Sequence, residues 1–387
     1  MNAIRARLLH RGELIPGTMR WEQGRIQSIE LERGPQGGAS AQDLPVVAPG
    51  FIDLHIHGFG GFDPLEDLAG MSRALALAGT TAFQPTLFPA EPVRLGEQCS
   101  ELERRMHALH RDEGALVAGL HLEGPFVNPK SAGALPVHDL AQPSVAGLRA
   151  ILGPASGSGR AVKTMTIAPE LSGSMDLIRE AVKCGVRVSL GHSLARAQDA
   201  RAAARAGAAG ATHLFNAMSG VHHREMGLAG FALTDDALHA ELIGDLMHVG
   251  EEAVQLALRA RGAGGLCLVS DALRGAGTGC DRFHSHGRDH LLKGGAAYYP
   301  PQQEGDEPKL AGSALSQLEM VRRLVERGVV GLAEALTMAS ASPARALGLE
   351  RELGALEAGL RADFLVLEGP QLRLTQVWLG GRRLQAL

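Results

Sequence analysis

Phe51-Ile-Asp-Leu-His-Ile-His57 is a short, almost continuous apolar run that reads as a buried strand, followed by a stretch of helical character. Seven further runs repeat that cadence: Thr80–Gln84, Leu116–Glu123, Thr164–Ala168, Val186–Gly191, Ala211–Leu214, His239–Gly244 and Leu266–Asp271. Apolar strands separated by helices imply parallel strands covered on both faces, and eight of them predict a closed (β/α)8 barrel. The intervening segments support helices. Leu95, Cys99, Leu102, Met106 and Leu109 share one helical face, as do Leu318, Val321, Leu324 and Val325 ahead of Gly328. Ser342-Pro343 has the form of an N-cap followed by proline at the first helical position.

Outward from the barrel, the two chain ends change character. Residues 1–48 and 352–387 hold short β-like pieces such as Arg20–Glu30, Ala362–Leu367 and Leu374–Leu379. Neither end alone can cover a sheet, so the two are expected to pair into one small β-sandwich domain beside a catalytic barrel of residues 49–351. Gly153–Gly159 reads as a loop, and residues 280–309 as a long excursion after the eighth strand. Hydrophobic residues at 45% exclude disorder as the main state, and a net charge of −4 offers no basic field for nucleic acid or an anionic membrane. No apolar run reaches the ~18 residues of a membrane span. Cys99, Cys184, Cys267 and Cys280 form no CxxC pair, and the first ten residues hold no apolar h-region. A cytoplasmic, reduced protein is expected.

The polar residues of the eight runs carry the chemistry. His55 and His57 sit at i and i+2 of the first strand and point to one side. Glu123 ends the third strand, His192 follows the fifth, His213 lies in the sixth and Asp271 ends the eighth. Barrel enzymes build their sites at that end, and imidazole with carboxylate is a ligand set for zinc or iron(II). One histidine at a strand end is usually a structural hydrogen-bonding residue. Six ligand-type residues on five strand ends predict a metal site. His107 and His110 fall on a polar helix face, and His121 is expected to hydrogen-bond a ligand rather than act as one. Cys280, His284, His286 and His290 lie in the excursion without a second cysteine pair and are not read as a zinc site.

Several longer stretches point to one family. Pro49-Gly-Phe-Ile-Asp-Leu-His-Ile-His-Gly58 resembles the opening signature of the amidohydrolase superfamily. Narrower are His121-Leu-Glu-Gly-Pro-Phe126, Gly191-His-Ser193, His213-Leu-Phe-Asn-Ala-Met218 with His222-His-Arg-Glu225, Ser270-Asp-Ala272 and Leu310-Ala-Gly-Ser313. Together they resemble the N-acetylglucosamine-6-phosphate deacetylase family over nearly the whole chain. That resemblance implies metal-dependent hydrolysis of the acetamide of N-acetylglucosamine 6-phosphate, giving glucosamine 6-phosphate and acetate, by a homodimer. It assigns Glu123, His192 and His213 as main metal ligands, with His55 and His57 as a pair permitting a second ion. Asp271 becomes the catalytic aspartate. The amides of Asn216 and Ala217, with Arg224, become the phosphate site, and His248 with Ala134 become substrate contacts.

Departures from the pattern touch the substrate contacts and leave the ligand set intact. Leu135 stands where the family carries a histidine, Asp245-Leu-Met-His248 replaces the usual Asp-Gly, and Met226 replaces a proline. One ion or two, and which N-acetyl-hexosamine phosphate, stay open at this level. The rival readings are deacetylation of an epimer such as N-acetylgalactosamine 6-phosphate, a cyclic-amide hydrolase, and a non-catalytic sugar-phosphate sensor.

Overall fold

The computed structural model describes residues 1–32, 43–153, 161–301, 303 and 307–385. Eight parallel strands follow one another around a barrel: Phe51–Ile56, Thr80–Leu87, Leu120–Leu122, Val162–Ile167, Arg187–Leu190, Gly210–Ala211, His239–Ile243 and Leu266–Val269. Each overlaps one of the eight apolar runs, but the sixth strand ends at Ala211, so His213, expected within it, lies in the turn that follows. The third is interrupted: Leu116–Val117 pairs separately with the second strand, because Gly119 turns the chain at φ +107° beside the Lys163 side chain. The eighth strand returns to the first. Asp271 N–H donates to the His55 carbonyl (2.8 Å), and the Gln317 amide donates to the carbonyls of Ile52 and Leu268 (2.9 and 2.8 Å). Asp53 adds a side-chain tie, its Oδ1 accepting from the amides of His55 and Ser270.

The outer helices follow from their caps and apolar faces. Pro92–Ala108 starts on a Glu91 side chain that accepts two backbone amides, and it buries Leu95, Cys99 and Leu102. Gln317–Glu326 begins with a Ser316/Glu319 capping box and buries Leu318, Val321 and Leu324. The Ser342-Pro343 reading is corrected. That helix spans Ala341–Leu347 and is capped at Ser340, so Pro343 falls inside the first turn. There its missing N–H costs no helical bond, and the Ser342 hydroxyl donates to Ala263 instead.

Both chain ends enter one seven-stranded sheet, in the order Arg382–Arg383, Arg373–Leu379, Phe364–Glu368, Val46–Pro49, Asn2–His10, Glu13–Glu22, Arg25–Leu31. The expected Arg20–Glu30 piece is two strands joined at Gln23-Gly24, both at positive φ, the geometry of a two-residue hairpin. One face packs on the barrel through Leu9, Val46, Leu365 and Leu379. The other encloses its own core, in which the rings of Trp21, Phe364 and Trp378 meet at 4.9–5.4 Å. Beyond Gly153, the expected loop 153–159 lies outside the described residues.

The 280–309 excursion is also corrected. Arg282–Ser285, Arg288–Lys293, Ala296–Tyr299 and Lys309–Ser313 form a four-stranded antiparallel sheet. Its tight turns fall at His286-Gly287 and Gly294-Gly295, all at positive φ.

Candidate metal centre

Five of the eight strands deliver ligand-type side chains to one end of the barrel. Glu123 sits in the middle. Its Oε1 lies 2.9 Å from His192 Nε2 and 3.0 Å from His213 Nε2, while Oε2 lies 3.2 Å from His57 Nε2. His55 and His57 approach Asp271 Oδ1 at 3.5 Å each. The donors form two groups, His55–His57–Asp271 and Glu123–His192–His213, within each of which the ligand atoms lie inside 4.8 Å of one another. All are buried except Asp271, which reaches the cavity at 15% side-chain exposure.

Three of these positions sit in the left-handed region that L-residues avoid: His192 at φ +47°, His213 at +30° and Asp271 at +48°. Each costs roughly 1–2 kcal/mol and persists because neighbours enforce it. Around Asp271, its own N–H binds the His55 carbonyl and its carbonyl accepts from Ser313 N–H (2.9 Å). His192 is oriented through Nδ1, which donates to the Ser131 carbonyl at 3.0 Å and leaves the Nε2 lone pair facing Glu123. Burial opposes ionisation of Glu123, yet the imidazoles around it hold its carboxyl well below the usual carboxylate range.

The donor chemistry fits metal. His192 and His213 aim Nε2 at Nε2 across 3.0 Å, and His55 and His57 do the same across 3.3 Å. Two ring nitrogens so aimed, with a carboxylate oxygen between, suit a shared cation far better than a shared proton.

A cavity of about 230 Å³ opens over the ligands, lined further by Ala134, Leu135, Asn216, Ala217, His248 and Lys309. The chain matches the description Amidohydrolase family over residues 46–384. The chain belongs to the amidohydrolase family. It is 33% identical over 98% of its length to N-acetylgalactosamine-6-phosphate deacetylase of Escherichia coli O157:H7, covering 98% of that protein. It is 35% identical over 84% of its length to the human N-acetylglucosamine-6-phosphate deacetylase, covering 80% of it. A Mycobacterium smegmatis N-acetyl-D-glucosamine-6-phosphate deacetylase mutant, solved in complex with N-acetyl-D-glucosamine-6-phosphate, superposes with a TM-score of 0.85 at 30% identity, over 98% of both chains.

For an amidohydrolase, the remaining expected contacts divide. His248 is held by Asp245, whose Oδ1 accepts the amides of Met247 and His248 and whose Oδ2 lies 2.7 Å from Nδ1. Burial opposes charge on His248, but the Asp245 carboxylate raises its pKa above the ordinary value. Leu246 takes φ +57° here, which explains why a glycine suits that position and why leucine strains it. Asn216 departs from the expectation: its N–H donates to the His213 carbonyl at 2.9 Å, so that amide is already engaged by the turn. Arg224 stands outside the cavity of its own chain, on the exposed loop 219–226, with Nη1 at 3.1 Å from His223.

His121 faces the barrel interior between Thr86 and Thr166 (3.3 and 2.9 Å), touching His55 ring to ring at 4.6 Å rather than hydrogen-bonding a ligand. Cys280, His284, His286 and His290 do not converge. His284 pairs with Asp289, His286 with Asp63, and His290 stacks on Phe283. The sequence reading missed three residues at the centre. Phe88 stacks on His57 at 4.0 Å, Lys309 lines the cavity, and Glu241 lies 3.2 Å from His55 Nδ1. Phe88 and Lys309 stand in no motif. Glu241 carried one usable signal, a carboxylate at the centre of a barrel strand whose Ala240, Leu242 and Ile243 are apolar and buried.

Proposed function

We propose that this amidohydrolase removes the acetyl group of N-acetyl-D-glucosamine 6-phosphate, giving D-glucosamine 6-phosphate and acetate. The observation that carries the reading is the cavity itself. It brings Asp271, His248 and the Asn216-Ala217 turn within one small space over the ligand cluster. The solved relative with this substrate bound supports the substrate class.

The sharing of Glu123 between two donor groups supports two ions, of zinc or iron(II), held by Glu123, His192 and His213 and by His55, His57 and Asp271. A divalent ion bound there supplies Lewis acidity, polarising the amide carbonyl and lowering the pKa of water. Asp271 accepts a proton from the attacking water at its carboxylate and returns it to the leaving nitrogen, a role commonly worth ~10²–10⁴ in rate. His248, with Nδ1 committed to Asp245, has Nε2 left to hydrogen-bond the developing oxyanion. The Ala217 amide and Lys309 offer donors to the sugar phosphate. Arg224, displaced from its own cavity, serves the site of a second subunit, which makes the working enzyme a homodimer. Ala134 and Leu135 shape the sugar wall. Four free cysteines accord with a cytoplasmic setting.

A second reading, the C4 epimer N-acetylgalactosamine 6-phosphate, is favoured by two observations. Leu135 is buried in the wall where the family carries a histidine, and the relative matched over 98% of both chains acts on that sugar by name. Acetate release from both phosphates, and from the unphosphorylated sugars, with metal supplied and withdrawn, tests the proposal. Metal-dependent release with the gluco-epimer preferred supports it. Preference for the galacto-epimer overturns the sugar assignment, and sugar-phosphate binding without acetate release overturns catalysis.

A further inference from the structure

We propose that Glu241 is a positioning residue that fixes His55 for one of the two ions, and so sets that ion's affinity independently of the other's. The inference rests on the two-ion reading above.

Glu241 lies on the seventh barrel strand, His239–Ile243, and is 1% exposed. Its Oε2 lies 3.2 Å from His55 Nδ1 and accepts the His213 backbone N–H at 3.3 Å. Oε1 finds no hydrogen-bond partner among the described residues. A buried carboxylate so sparsely partnered is costly, because burial strips its hydration and little around it replaces the loss unless charge compensates it. Retaining it as a strand tie alone is unnecessary, because a neutral glutamine offers the His213 amide the same oxygen.

His55 shows what the charge achieves. The ring spans two tasks, with Nδ1 toward Glu241 and Nε2 toward His57, Glu123 and Asp271. An ionised carboxylate only accepts, so it holds the proton on Nδ1 and leaves the Nε2 lone pair for the ion. It also makes that nitrogen a stronger donor. Among the four imidazoles of the centre, His192 is oriented by a neutral carbonyl, and Nδ1 of His57 and of His213 has no partner among the described residues. Carboxylate backing is confined to His55. Its influence therefore falls on the His55–His57–Asp271 group.

Glu241→Gln tests this, because the amide keeps the volume and, with its oxygen still toward the His213 N–H and His55 Nδ1, removes the charge that strengthens Nε2 as a donor. Metal is titrated into metal-free wild type and variant, with bound equivalents counted by elemental analysis. Wild type should bind two equivalents. The variant should bind the second about 10–100-fold more weakly while the first is unchanged. His55→Asn should weaken the same equivalent, with Glu241→Gln adding no further loss in the double variant. Two equivalents bound at wild-type affinity overturn the proposal, as does equal weakening of both. A metal-free variant melting well below metal-free wild type also overturns it, by making Glu241 a structural tie. Wild type that binds one equivalent overturns the two-ion reading, and this proposal with it.

Discussion

Glu123 offers one carboxylate oxygen to His192 and His213 and the other to His57, so a single side chain joins the two donor groups. Replacing it with glutamine removes the charge from both. Glu123→Gln should lose both ions and all measurable turnover, since a neutral amide is a weak ligand for a hard dication. Elemental analysis of chelator-free protein checks this, and full metal content with a normal rate would contradict it.

The first-strand pair is separable from that centre. His55→Asn with His57→Asn should remove one equivalent and leave the ion on Glu123, His192 and His213. Unchanged stoichiometry with a modest loss of rate would favour a single-ion enzyme.

Arg224 yields a test of subunit sharing. Arg224→Ala should lower kcat/KM for the 6-phosphorylated substrate by roughly 2–4 kcal/mol, as expected on truncating a charge partner, and leave the unphosphorylated sugar unaffected. Mixing this variant with inactive Asp271→Asn subunits should restore about a quarter of wild-type activity, because each mixed dimer holds one complete site. No recovery on mixing would assign Arg224 to its own chain.

Asp271→Asn preserves an oxygen toward His55 and His57 but cannot accept a proton. Turnover should fall ~10³-fold or more, with substrate binding and the ion on Glu123, His192 and His213 kept and the ion on His55 and His57 weakened. Activity regained in full once excess metal restores that second ion would contradict the proton-transfer role and leave Asp271 a ligand alone.

His248 gives a pH dependence with a definite sign. Its folded pKa is raised by Asp245, so folding favours the charged ring. That stabilisation is complete below the unfolded value of about 6.5 and is lost as pH rises through the folded value. In metal-free proteins, the urea midpoint gap between wild type and His248→Gln should be widest at low pH and shrink upward. A gap that widens with pH would reverse the sign.

Much of this was legible in the linear chain because barrel strands buried on both faces are continuous apolar runs, and ligand-type residues at their ends interrupt the runs at fixed places. His55, Glu123, His192, His213 and Asp271 could be found that way. The 282–313 sheet was obscured by its polar, half-exposed strands, although His286-Gly287 and Gly294-Gly295 mark its turns. Glu241, Phe88 and Lys309 were hidden for a different reason. Their roles depend on which strands and loops meet across the barrel, and the one local sign, a carboxylate within the seventh strand, does not say which side chain it meets.

The strand Val46–Pro49 takes Phe364–Glu368 as its antiparallel neighbour, roughly three hundred residues further along the chain. During synthesis at about 5–20 residues per second, it therefore waits on the order of 15–60 s for that edge to emerge. Throughout that interval the sheet that seats Phe51–Ile56 at the barrel entrance has an open flank. The nascent enzyme must carry exposed pairing groups on the ribosome until its last strands arrive, which makes this edge the natural point of chaperone engagement and of premature association between neighbouring chains.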